Sequence, residues 1–189
     1  MFSVGRPSDS DLERVLEDSR RASVSYVEIG ATRDTRLPLG YRLDRYEREL
    51  GSDDERFERA AEALRRWRSH TGAGVRVFPD GADVEEGTTV LFVLRALGLW
   101  TIAPCRVVYV VDEPGRFSFG YGTLPGHPER GEVGLAVSRQ DGGRVVARID
   151  SFSRTVDSLA RAASPVTRIV QKHVTTRYLA ALAAASAGK

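Results

Sequence analysis

The residues best suited to proton chemistry in this 189-residue sequence are an imidazole and two carboxylates within six positions: His127, Glu129 and Glu132. Leu124-Pro125-Gly126-His127 fits a type II turn, with proline second and glycine third, and Pro128 restricts His127 to extended geometry. The turn therefore presents His127 and Glu129 from a stiff base, and Glu132 opens the strand that follows. An ionised carboxylate beside an imidazole favours the charged ring, which is the pattern of a general acid–base pair. The same pattern also describes a rigid surface turn whose polar groups satisfy its own backbone.

A second set of polar residues interrupts apolar strands. Arg106 breaks the run from Cys105 to Val111, and Arg148 and Asp150 share a face of the last strand by period-two alternation. Charges on such faces must be paired if buried. Together with Tyr109, Tyr121 and Thr123, Arg106 and Arg148 are candidates to anchor the polar part of a ligand, the alternative being an ion-pair network within the sheet. Phe117, Phe119 and Tyr121 share one face of their strand, and alternation groups Tyr109 with Cys105 and Val107. The opposite face carries Ser118, Gly120 and Gly122, small enough to leave room for a ligand or for close approach of a helix. Trp67 and Cys105 read as core.

Common signatures of other chemistry are absent. Gly120-Tyr121-Gly122 begins like a dinucleotide fingerprint, but Pro125 and Pro128 follow where a helix would start. The three histidines, at positions 70, 127 and 173, have no metal-ligand spacing, so neither metal nor cofactor is expected. A net charge of +2 makes no case for nucleic acid. No apolar run approaches the roughly 20 residues that span a bilayer, and no secretory leader is visible. A cytoplasmic setting is expected. The single cysteine cannot form an internal disulfide.

These residues need a scaffold, and the pattern supplies one. Helices are expected near the start, from a capping box at Ser10 and Glu13 with Leu12, Val15 and Leu16 as a short apolar stripe, and over 52–70, from a second box at Ser52 and Glu55. A long helix follows Ser164-Pro165 to about residue 185, preceded by a helical piece over 155–163. Strands are expected at 23–29, 41–50, 75–78, 88–97, 101–111, 116–123, 132–138 and 144–152. Turn residues such as Asp112-Glu113-Pro114-Gly115 join the later strands as hairpins. The outcome is one α+β domain, 1–189, in which a curved antiparallel β-sheet grips a long C-terminal α-helix.

Several stretches carry a family resemblance. They are Tyr26-Val27-Glu28-Ile29-Gly30, Phe57 with Ala60 to Trp67, Cys105-Arg106-Val107-Val108-Tyr109, and Tyr121-Gly122-Thr123-Leu124-Pro125-Gly126-His127-Pro128-Glu129. Gly131-Glu132, Phe152-Ser153-Arg154, and Gln171 with Tyr178 complete the set. The sequence resembles the domain-of-unknown-function family nineteen-ninety, a branch of the START/Bet-v-type SRPBCC superfamily. The resemblance implies a helix-grip fold. It also implies, by analogy with the superfamily, a small hydrophobic ligand, lipid-like or polyketide-like, between sheet and helix. An enzyme using His127 with Glu129 or Glu132 on such a ligand is the first alternative. A solid-core protein-interaction module is the second.

Overall fold

The structure, a computed structural model, describes residues 1–33, 38–96, 98–155 and 164–188. Its centre is an antiparallel sheet in the order β2-β8-β7-β6-β5-β4-β3. The strands are β2 (Arg42–Gly51), β3 (Arg76–Phe78), β4 (Thr89–Ala96), β5 (Leu99–Glu113), β6 (Arg116–Thr123), β7 (Glu129–Arg139) and β8 (Val145–Thr155). A two-residue β1 (Phe2–Ser3) pairs with the start of β5. From β4 to β8 the chain is a hairpin meander, and β2 and β3 close its two edges.

Among the described residues, four α-helices complete the fold: α1 (Asp9–Arg21), α2 (Asp54–Arg65), α3 (Arg68–Thr71) and α4 (Ser164–Ser186). Helices α2 and α3 and the C-terminal half of α4 pack on the concave face, where Phe92, Phe119, Tyr121, Leu135, Ile149, Tyr178 and Leu182 form the main core. Helix α1 packs on the convex face, where Leu12 and Leu16 meet Phe78, Leu91, Val93 and Ile102. The curved sheet gripping a C-terminal helix is the α+β architecture expected.

Several local expectations change. The α1 capping box is built by Ser8 and Asp11, two residues earlier than Ser10 and Glu13, and Asp53 rather than Ser52 caps α2. The helix expected over 52–70 breaks at Trp67, whose φ is 55°. The indole donates from Nε1 to the Ala82 carbonyl at 2.9 Å and its ring meets Phe119 edge-on at 5.1 Å. Tertiary contacts of the ring outweigh the cost of a left-handed backbone. Residues 23–29 are not a strand: Val27 is 83% exposed and Ile29 56%, and the segment is held at Ser25, on the Thr123 carbonyl, and at the Tyr26 hydroxyl, on a buried carboxylate described below. Strand β8 runs on to Thr155, and the rest of the helical piece expected over 155–163 lies outside the described residues.

Bulges in β2 and β5 bend the sheet. The one in β5 has a large effect. Val107 pairs with Tyr121 but Tyr109 pairs with Gly120, so Val108 is an extra residue and the side-chain parity inverts there. Tyr109 therefore leaves the face of Cys105 and Val107 and lies on the convex side, a correction to simple alternation. Its ring fills the space above Gly120 and Gly134. The small-residue face left for a ligand or helix is thus covered by tyrosines: Tyr109 over Gly120, and Tyr26 over Gly122.

A methyl group at Gly120 would collide with the Tyr109 ring. Gly120→Ala is expected to lower the unfolding free energy by about 1–3 kcal/mol, measured by urea denaturation. Combined with Tyr109→Leu, the two losses should be less than additive.

Candidate functional site

The convex face is organised by Glu132, 1% exposed. Register with Gly122 places its side chain on the side away from the core. A buried carboxylate needs donors for both oxygens, and residues 26–32 provide them. Oε2 accepts from the Tyr26 hydroxyl at 2.6 Å and the Gly30 amide at 2.7 Å. Oε1 accepts from the Thr32 amide at 2.8 Å and its hydroxyl at 2.5 Å. The Thr32 hydroxyl also lies 3.0 Å from the Tyr109 hydroxyl. Burial, with the carboxylate adding to it, pushes the Tyr26 phenol up; burial pushes Tyr109 up to about 12. Both tyrosines are neutral near neutral pH. The Arg33 guanidinium sits 4.8 Å over the Tyr109 ring.

Segment 23–33 is thereby a strap across the sheet, and its near end forms one wall of a cleft. Ser25 docks on the end of β6, its amide donating to the Thr123 carbonyl at 2.9 Å and its hydroxyl 2.6 Å from the Thr123 hydroxyl. The Thr123 hydroxyl also accepts from the Gly131 amide at 3.1 Å. The facing wall is the turn foreseen from its prolines: His127 donates its amide to Leu124 at 3.1 Å, with Gly126 at φ +90°. Between the walls is a cleft of about 450 Å³, lined by Ser25, Tyr26, Pro125, His127, Arg130 and Arg154 among others.

The structure does not assemble His127, Glu129 and Glu132 as an acid–base group. His127 meets Glu129 through the backbone: Nδ1 lies 3.0 Å from both the Glu129 amide nitrogen and its carbonyl oxygen. Desolvation outweighs that contact and lowers the imidazole to about 4, the opposite of the shift expected from a neighbouring carboxylate. Glu132 stands behind the strap with both oxygens occupied.

The ligand-anchoring candidates separate as well. Arg106 closes the C-terminus of α1, donating to the carbonyls of Ser19, Arg20 and Ala22 at 2.9–3.0 Å and to the Thr89 hydroxyl at 3.0 Å. A cation there also complements the helix dipole. With Arg20 and Pro79 it borders an open cleft of about 520 Å³. Arg148 and Arg45 share buried Asp150, at 2.8 and 2.5 Å, an ion-pair network on the convex side.

Tyr121 lies on the concave face, its hydroxyl 3.1 Å from His70 Nε2. His70 is fully buried, with Nδ1 3.0 Å from the Ser69 hydroxyl. It stacks on Phe92 at 4.8 Å and packs on Tyr178 at 4.3 Å. Burial lowers its imidazole to about 3 and raises Tyr121. Among the described residues this aromatic cluster fills the space between sheet and the C-terminal half of α4. The sequence does not single out His70; its one signal is a histidine three residues after a core tryptophan. Arg130 and Arg154 stand out only within motifs, because their pairing across strands is set by register.

Among the described residues no helix is long and apolar enough to cross a membrane, and no three His, Cys, Asp or Glu side chains are placed to hold a metal ion.

A family profile described as "Domain of unknown function (DUF1990)" matches residues 25–181, spanning the strap, the sheet and most of α4. The chain belongs to this family. It is 32% identical over 188 residues to a UPF0548 protein of Deinococcus radiodurans, covering 94% of this chain and 95% of that one. A UPF0548 protein of Dictyostelium discoideum is 29% identical over 192 residues, covering 90% and 89%. Among solved structures, a hypothetical protein from Helicobacter pylori superposes with a TM-score of 0.58 at 13% identity, covering 81% of this chain and 96% of that one. A protein from Thermus thermophilus gives 0.52 at 17% identity, covering 77% and 97%. At these identities the likeness concerns the fold.

Glu132→Gln turns one acceptor oxygen into a donor facing groups that themselves donate. The expected loss is about 2–3 kcal/mol, read by denaturation, with faster amide exchange at Gly30 and Thr32.

Acid should also weaken the fold. The His70 imidazole is at about 3 when folded against an ordinary 6.5, so below 6.5 the unfolded chain binds a proton that the folded chain refuses. His127, at about 4, acts in the same direction. Their contribution is full above pH 6.5 and is lost as pH falls towards the folded values. Stability measured over that range should drop with acidification, less steeply in His70→Phe.

Proposed function

We propose that this chain is a small-molecule-binding module that holds a largely apolar ligand against the concave wall of its sheet, at the β2–β8–β7 end. The carrying observation is a change along that wall. Where α2, α3 and the C-terminal half of α4 lie, the inward residues Phe117, Phe119, Leu135, Val137 and Ala147 are fully buried. Towards the other end the inward residues Tyr46, Val133, Ser151 and Ser153 are only partly covered. An ion pair between Arg42 and Asp44, at 2.7 Å, continues the same face of β2. A wall that sets Tyr46 and Val133 beside two serine hydroxyls and an ion pair offers apolar contact next to fixed polar groups, a combination found in ligand sites. The helix-grip fold supports the reading, because the sheet's curvature brings this wall opposite a helix. His127, Glu129 and Glu132, the acid–base candidates, lie on the other side of the sheet or in its loops, so binding rather than turnover is the reading that the concave wall supports.

The neutral fluorophore phenyl-naphthylamine tests the proposal. It should brighten on mixing with the folded chain and be displaced by medium-chain fatty alcohols. Ser151→Phe, which adds bulk to the wall at a strand position that tolerates aromatics, should weaken its binding by about tenfold without lowering the thermal midpoint. No fluorescence gain, or equal binding by Ser151→Phe, would overturn the proposal.

A further inference from the structure

On the opposite, convex face, the geometry points to a second binding site: the cleft between the 23–27 strap and the 124–130 turn takes a small molecule bearing an oxyanion, a carboxylate or a phosphate ester, clamped between Arg130 and Arg154.

The argument begins with register. Arg130 and Arg154 are directly opposite each other on β7 and β8. Two positions further along the same face stand Glu132 and Phe152, also opposite each other. Like charges facing across an antiparallel pair oppose folding. Such a pair does not stabilise the sheet by itself, and a ligand of opposite charge between them would reverse the sign of its contribution.

Neither guanidinium has an ion pair among the described residues, whereas Arg45 and Arg148 share Asp150 and Arg76 bridges Asp9 and Asp80. Glu28, the strap's own carboxylate, accepts from the Tyr41 hydroxyl at 2.6 Å and feels the Arg154 charge without bridging either arginine. Arg154 is held in place by an aromatic ring rather than by a salt bridge: its guanidinium stacks over the Tyr41 ring at 4.9 Å. That ring in turn meets Phe152 edge-on at 5.0 Å.

The other walls suit an anion. With Nδ1 committed to the Glu129 backbone, His127 has Nε2 left for the cleft. In the tautomer that accepts from the Glu129 amide, Nε2 is a third donor. Arg forks match carboxylate and phosphate oxygens bidentately. Both walls are fixed beforehand, one by Ser25 on Thr123 and Tyr26 on Glu132 and the other by the proline turn, so little ordering is left to oppose binding. A volume of about 450 Å³ fits a small metabolite.

The test titrates the full chain with inorganic phosphate, with acetate, and with chloride at matched ionic strength, following backbone amides by NMR. Phosphate, acetate or both should shift the amides of residues 125–130 saturably, and chloride should not. A response to phosphate alone assigns a phosphate ester, and to acetate alone a carboxylate. Arg130→Gln and Arg154→Gln should each weaken binding at least about tenfold. Arg130→Gln should keep or raise the thermal midpoint, since it removes a like-charge contact, so lost binding would not report lost folding. The proposal is overturned if neither anion exceeds chloride, or if both variants bind as the parent does. Either result leaves phenyl-naphthylamine binding on the concave face unaffected.

Discussion

A buried carboxylate that must be satisfied governs the convex half of this protein. Glu132 is taken out of water on a face where, among the described residues, no cation pairs with it, and its four donors come from one short segment about a hundred residues earlier. Burying that charge without them would cost several kcal/mol, so sheet and strap are bound to form together. The consequences spread from that point. Tyr26 and Thr32 bring their side chains over Gly122 and Gly134, Tyr109 fits between them, and the strap's leading end becomes a cleft wall.

The two faces of the sheet solve burial differently. On the concave side, apolar and aromatic rings close on each other, and the deeply placed His70 imidazole stays neutral because nothing around it would stabilise its charge. On the convex side, helix α1 covers only part of the sheet and polar groups cover the rest. Arg106 joins the two regions. Its guanidinium gathers the loose carbonyls at the end of α1, which fixes the C-terminal end of a helix that Leu12 and Leu16 anchor to the sheet.

Much of the architecture was legible in the sequence. Period-two runs with Gly and Pro between them marked the meander, and Ser164-Pro165 marked the start of the gripped helix. Phe117, Phe119 and Tyr121 share the core face that their alternation implied. Less legible were features decided by tertiary contacts. Residues 23–29 have strand-like composition, yet Tyr26 and the Gly30 and Thr32 amides just beyond them bond to a side chain that sequence reasoning could not bring near. Trp67 sits in a helical stripe, yet its ring is worth more against Phe119 than another helical turn is. The site residues divide in the same way. The stiffness of the His127 turn follows from its prolines, whereas the company His127 keeps depends on which strand ends lie beside it. Arg106 and Arg148 read as charges needing partners, and both have them, as a helix terminator and as part of a shared ion pair.

Val108 shows how much one residue can carry. Before it, β5 contributes Cys105 and Val107 to the interior; after it, the strand contributes Tyr109 to the outside. The strand thus works as two half-strands set out of phase by a single peptide unit. A chain lacking that unit would turn a phenol into the oily interior and leave two glycines bare, so chain length at this position is fixed more tightly than the identity of most side chains around it.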